Sequence, residues 1–183
     1  MQLADAQREM RSAYLGGFAG QLVSGLIWLA AAAVGTLLTP GSGMALLFVG
    51  GAFVYPLTQV VVRWLGRPGR VGAANALAPL AIQTAFTVPI GFLLIGAATL
   101  YRETWFFPAA MVVVGAHYLP FVTLYGMRLF AYLGAVLVLA GAGLAVDGPQ
   151  VFALGGWLTG AILLAAAFAG RAAVLAEERS AAA

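Results

Sequence analysis

The chain has 183 residues, of which 63% are apolar and 24 are glycine, and only 8% carry a charge. A soluble domain draws about a quarter of its residues from the charged types and covers its surface with them, so this composition excludes the soluble classes, and its hydropathy excludes disorder. Cysteine and lysine are absent, which removes disulfides, thiolate metal sites and lysine Schiff bases, and the formal charge of +3 comes from a few arginine-bearing loops rather than a nucleic-acid-binding surface.

The opening stretch, MQLADAQREMRSAY, is polar for most of its length. A signal peptide has a short basic start, an apolar run and a small-residue cleavage site, so the first apolar segment here reads as a retained anchor. Leu3 to Ser12 either extends the first helix or lies along the membrane surface with Arg8 and Arg11 toward lipid phosphates. Attachment of the first span to water is the role adopted here.

An apolar run of about 20 residues crosses the hydrocarbon as a helix, and Pro, Gly and Arg mark the turns. Six runs fit: about 14–38, stopped by Thr39, Pro40 and Gly41; 44–65, stopped by the GRPGR turn at 66–70; 76–100; 106–125; 127–146, stopped by Asp147, Gly148 and Pro149; and 150–173. Pro79, Pro89, Pro108 and Pro120 displace or kink the third and fourth helices. None of these runs shows the alternation of a barrel strand. The expected fold is all-α, a polytopic transmembrane helical bundle of six helices forming one domain over residues 1–183. VGGAFVYPL from Val49 and VVGAHYLPF from Val113 share Gly, Ala and Pro in register, at Gly51, Ala52, Pro56 and Gly115, Ala116, Pro120. That match points to a duplicated two-helix unit.

Cationic loops near helix ends stay in the cytoplasm. Arg8, Arg11, Arg63, Arg67, Arg70, Arg128, Arg171 and Arg179 fall on one side of this topology and Arg102 on the other. The asymmetry predicts both termini in the cytoplasm. The composition, rich in Ala, Gly, Val, Leu and Arg without Lys, is that of a GC-rich bacterial genome and so points to the bacterial inner membrane. A thin bundle with glycine-flattened faces left to bury predicts a homo-oligomer in the lipid bilayer.

Glycines spaced by four flatten a helix face for close approach, and Gly16, Gly20 and Gly25 on the first helix, Gly50 and Gly51 on the second, and Gly156 and Gly160 on the last are assigned to helix packing. Polar residues within the spans are rarer. Gln21 and Ser24, Tyr55 and Gln59, Gln83 and Thr87, and His117 come from four helices at one depth, roughly 6 to 17 Å from the cytoplasmic end. Tyr55, Gln59 and Arg63 share one face, and His117, Phe121, Tyr125 and Arg128 another. Gln21, Ser24, Tyr55, Gln59, Gln83, Thr87, His117, Tyr125 and Arg128 are therefore the candidate ligand-binding residues. The competing reading is interhelical hydrogen bonding, worth about 1 kcal/mol per pair.

No carboxylate lies inside a span and His117 is the one histidine, so neither a hydrolase triad nor a three-ligand metal site can be assembled. No catalytic residue, metal or cofactor is expected. Coupled proton transport normally uses a buried Asp or Glu, so a path or binding site for a small neutral or anionic solute is expected in preference to a cation pump. The alternative is an accessory or structural membrane subunit whose polar groups only hold helices together.

The first helix, with Gly16, Gly17, Gly20, Gln21, Ser24, Gly25 and Trp28, resembles that of a group of uncharacterised small bacterial integral membrane proteins, whose opening helix is Gly-rich and carries a Ser-Gly pair before a Trp. The resemblance continues through Gly50, Gly51 and Pro56 to Gly115, Ala116 and Tyr125. It implies a small polytopic membrane protein and no particular activity.

Overall fold

Six helical stretches are long and apolar enough to cross a bilayer, as their composition requires. A computed structural model describes residues 2–182, and its elements among those residues are all helical. They are α1 (Leu3–Tyr14), α2 (Phe18–Leu37), α3 (Pro40–Trp64), α4 (Ala78–Ala85), α5 (Thr87–Tyr101), α6 (Phe106–Tyr125), α7 (Leu129–Val146) and α8 (Leu154–Ala182). The spans are α2, α3, α4 continued by α5, α6, α7 and α8. The chain is a multi-pass helical membrane protein.

Several ends differ from the sequence expectation for local reasons. Thr39 to Gly41 follow the end of α2 at Leu37, as expected, but also start the next helix four residues early: the Thr39 hydroxyl accepts the Ser42 N–H at 3.1 Å and Pro40 opens α3. That is the N-cap and first-turn proline arrangement, which satisfies orphan N–H groups and loses none. The third span breaks at Phe86. Pro89 has no N–H to give the Ala85 carbonyl and its ring crowds that turn, so α4 ends at Ala85 and α5 starts at Thr87. The last helix runs past the expected 173 to Ala182. Its 29 residues exceed the roughly 20 that hydrocarbon requires, so its polar end projects beyond the bilayer.

Glycine contacts set the tightest crossings. A Cβ at Gly25 of α2 would stand 3.1 Å from the Gly160 carbonyl of α8, and one at Gly160 would stand 3.0 Å from the Gly25 carbonyl. Gly156 leaves room for Phe107 and Ala32, and Gly50 for Ile27. The contacts at Gly25, Gly50, Gly156 and Gly160 are thus made between α2 and its neighbours inside one chain. Gly20 and Gly51 differ, since an added Cβ meets nothing closer than 3.7 Å and 3.9 Å. The main core lies between α6, α7, α8 and α2, where Phe107, Met111, Phe130, Leu137 and Leu163 are fully buried. Helix α3 has close packing only against α2, and few of its residues are buried.

The N-terminal segment does more than attach a span to water. Leu15, Gly16 and Gly17 all have positive φ, at 50°, 63° and 80°, a left-handed turn that ends α1 and redirects the chain into α2. The amphipathic α1 is thereby laid against the bundle, with Ala6, Met10 and Ala13 buried. Arg11 faces protein rather than lipid phosphate, in a two-pronged pair with Glu177 at 2.6 and 2.8 Å. Arg67 holds Glu178 in the same way at 2.5 and 2.7 Å. Glu9 accepts the Gly72 N–H at 2.6 Å and the Asn75 amide at 2.8 Å. These bonds tie α1, the 65–77 loop and the end of α8 together at one end of the bundle, and the Thr104–Gln150 hydrogen bond lies at the other. The Arg11 guanidinium holds the Glu177 carboxyl below its usual range, and Arg67 does the same to Glu178. Glu9 is lowered by the Gly72 and Asn75 donors.

Candidate functional site

Because α3 stands away from α4 and α5, the space between α2, α3, α4–α5 and α6 is left as a cavity of about 1060 Å³, at the upper end of the range for ligand pockets. Its walls are mostly apolar and aromatic, with Trp28 from α2, Phe48 from α3, Phe92 from α5, and Tyr118, Phe121 and Tyr125 from α6. Phe121 stacks on Tyr125 at 5.7 Å and contacts Phe130 behind it at 5.3 Å, so this wall is held by the core. Met10 and Tyr14 of α1, with Arg70 and Val71 of the following loop, line its terminal end.

The candidate residues separate clearly. Gln21, Ser24, Tyr55, Gln59, His117 and Tyr125 all line the cavity. Gln83, Thr87 and Arg128 do not. Ala78, Ala81 and Ala85 line it at helical spacing, which leaves Gln83 on the outer side of α4, exposed. The face expected to carry Arg128 ends before it: α6 terminates at Tyr125, Gly126 turns left-handed at φ 64°, and Arg128 is exposed. Arg63 is also exposed.

Thr87 reaches the site through His117. Its hydroxyl gives its one proton to the Thr84 carbonyl at 2.8 Å and therefore accepts from His117 Nδ1 at 2.8 Å. That assignment makes Nδ1 the protonated nitrogen and leaves Nε2 an acceptor. The helix break at Phe86 places Thr84 and Thr87 opposite His117, so a backbone irregularity forced by Pro89 sets the orientation of the one imidazole.

Gln21 is the most consequential side chain of the site. It is 2% exposed, and neither its amide nitrogen nor its amide oxygen has a hydrogen-bond partner in the protein. Thr58 Oγ1 and Gln59 Nε2, on the facing helix, are likewise buried and unpartnered. A buried amide without partners costs about 1–3 kcal/mol, so three such groups around one cavity constitute unfilled hydrogen-bonding capacity. They belong to residues that line an otherwise apolar chamber, and the atoms themselves lie just behind its surface. No carboxylate lines it, and among the described residues no group of His, Cys, Asp or Glu could hold a metal.

Sequence reasoning missed Thr58, Trp28, Tyr14 and Tyr118 as lining residues. Thr58 was legible as a polar residue one position before Gln59, but the aromatic residues are indistinguishable from core until helix positions are known. It also missed Glu9, Asn75 and the arginine–glutamate pairs, whose partners lie up to 166 residues apart.

No curated protein and no solved structure matches the chain. A family model does match, over residues 3–171, which takes in five spans, most of the sixth and the whole cavity. The chain belongs to that family, DUF7010, a family of unknown function.

Proposed function

We propose that this membrane protein binds a small uncharged solute in the chamber between α2, α3, α4–α5 and α6, and serves as a transporter, channel or binding protein for it. The observation that carries the reading is Gln21, a side chain 2% exposed with both amide atoms unpartnered. Residues that only glue helices make interhelical hydrogen bonds, and Gln21, Thr58 Oγ1 and Gln59 Nε2 make none. The interhelical Thr87–His117 and Trp157–Thr36 bonds favour the accessory-subunit reading. The lack of carboxylates and the single rim cation, Arg70, favour a neutral solute over an anionic one. Arginine asymmetry supports an inner-membrane location with both termini cytoplasmic.

The chain has no native cysteine, so Ser24→Cys and Thr159→Cys can be compared with methyl methanethiosulfonate, an uncharged reagent that reaches a chamber from water or from the bilayer. Ser24 lines the cavity and Thr159 is fully buried against its own helix. Rapid labelling at 24 with protection at 159 is expected. Equal protection of both positions overturns the reading.

A further inference from the structure

The cavity has a mouth, and the mouth is apolar. Phe48, Val49 and Tyr55 of α3 and Ile82 and Phe86 on the α4–α5 side all line it while remaining more than half exposed, from 53% to 70%. These side chains lie in the membrane-crossing parts of their helices, so the opening between α3 and α4–α5 faces the hydrocarbon of the bilayer and not water. At one edge of it the α3 and α5 walls meet, where Phe48 and Phe92 touch edge to face at 5.1 Å. At the terminal end, Met10 and Tyr14 of α1 line the chamber, and the bonds of Glu9, Arg11 and Arg67 hold α1 and the 65–77 loop in place.

A molecule that reaches the chamber through this mouth is already dissolved in the bilayer. Inside, it meets aromatic walls over most of its surface and one patch of uncharged donors and acceptors at Gln21, Ser24, Thr58 and Gln59. A primary amide both donates and accepts, which matches a hydroxyl or amide headgroup. A phosphate or carboxylate headgroup needs cations, and the one cationic lining residue is Arg70 in the loop. We infer that the ligand is a bilayer-borne amphiphile with a single apolar body and an uncharged hydroxyl or amide head, which enters sideways between α3 and α4–α5 and seats its head on Gln21 as that side chain rotates its buried amide toward the chamber. This rests on the solute-binding reading above and narrows it to one class of molecule.

Trp28 gives a direct readout, since it lines the cavity and is 3% exposed. In the full chain carrying Trp64→Phe, Trp105→Phe and Trp157→Phe, reconstituted in phosphatidylcholine nanodiscs, it is the sole tryptophan. 11-Bromoundecanol is expected to quench its fluorescence saturably, by at least twofold. Gly20→Leu, which places a side chain where an added Cβ meets nothing within 3.7 Å, should abolish the saturable component. Gln21→Leu should weaken the affinity for the alcohol several-fold while leaving quenching by 1-bromododecane unchanged. If acrylamide reaches Trp28 and the brominated alcohol gives only linear quenching, the chamber serves a water-borne solute; the amphiphile is then wrong and the solute-binding reading stands. If neither agent quenches, both fail. Saturable quenching that persists in Gly20→Leu, or shielding that lifts only when copies are diluted into excess lipid, overturns the proposal by placing the alcohol elsewhere or a second copy across the mouth.

Discussion

Gly115 of α6 and Gly134 of α7 face each other so closely that a Cβ on the first would lie 2.9 Å from the carbonyl oxygen of the second, and a Cβ on the second 2.8 Å from the carbonyl oxygen of the first. Neither neighbour is a side chain that can rotate away. Gly115→Leu or Gly134→Leu is therefore expected to destabilise by about 1–3 kcal/mol or more through overpacking. Gly143→Leu, on the same α7 with nothing within 4 Å of its added Cβ, should melt like the parent. Thermal unfolding in detergent checks this, and equal melting of all three would show that α6 and α7 cross elsewhere.

Acid should loosen the α1 end. Glu177, Glu178 and Glu9 all have carboxyl pKa values below the usual glutamate value in the folded chain. A depressed folded pKa contributes stability above the unfolded value, and that stability is lost as pH falls through the folded one. Melting temperature should thus fall below about pH 5, and fall less steeply in the double variant Glu177→Gln, Glu178→Gln. Because the pairs are partly exposed, each contributes modestly and less at high salt. Identical slopes in parent and double variant would mean that the pairs contribute nothing.

His117 should be protonated on Nδ1. Nitrogen NMR of the labelled histidine, the sole one in the chain, reads the tautomer directly. Thr87→Val removes the acceptor at 2.8 Å and should move the Nδ1 signal. Thr99→Val should not, because that hydroxyl bonds the Ile95 carbonyl. A neutral imidazole with its proton on Nε2 would reverse the assignment of the whole Thr84–Thr87–His117 chain.

Reporter fusions are expected to place the 66–72 turn on the same side as both termini, and residues 102–105 on the opposite side. The bonds from Arg67 to Glu178 and from the Gly69 N–H to the Ala13 carbonyl require the first grouping. Separation of the 66–72 turn from the N-terminus would discard the α1 contacts.

The spans were legible because burial in lipid leaves a one-dimensional mark, a long apolar run. The fourth matches its expected limits of 106 and 125 at both ends. What governs the ends is subtler: Thr39 and Pro40 carry the residues of a turn and act as a cap, and only the Ser42 bond tells the two apart. The polar layer was legible in part for a similar reason. Gln21, Ser24, Tyr55, Gln59, His117 and Tyr125 sit on helices that keep one periodicity from anchor to site. Arg128 lies past the point where Gly126 ends that periodicity, and Gln83 lies on a short helix whose inward face is set by three alanines. The role of α1 was hidden because its partners, Glu177, Asn75 and Gly72, are distant in the chain and carry no pattern that announces them.

The neutrality of the chamber reaches beyond its choice of guest. Moving an elementary charge across a membrane couples to about 2.3 kcal/mol per 100 mV, but an uncharged molecule leaving a site without carboxylates moves no charge at all. Voltage then does no work on the traffic, and no titrating carboxylate in the chamber ties it to a proton gradient. On the proposed solute-binding reading, passage through such a site would follow the guest's own gradient, levelling it between its two reservoirs and stopping when they match.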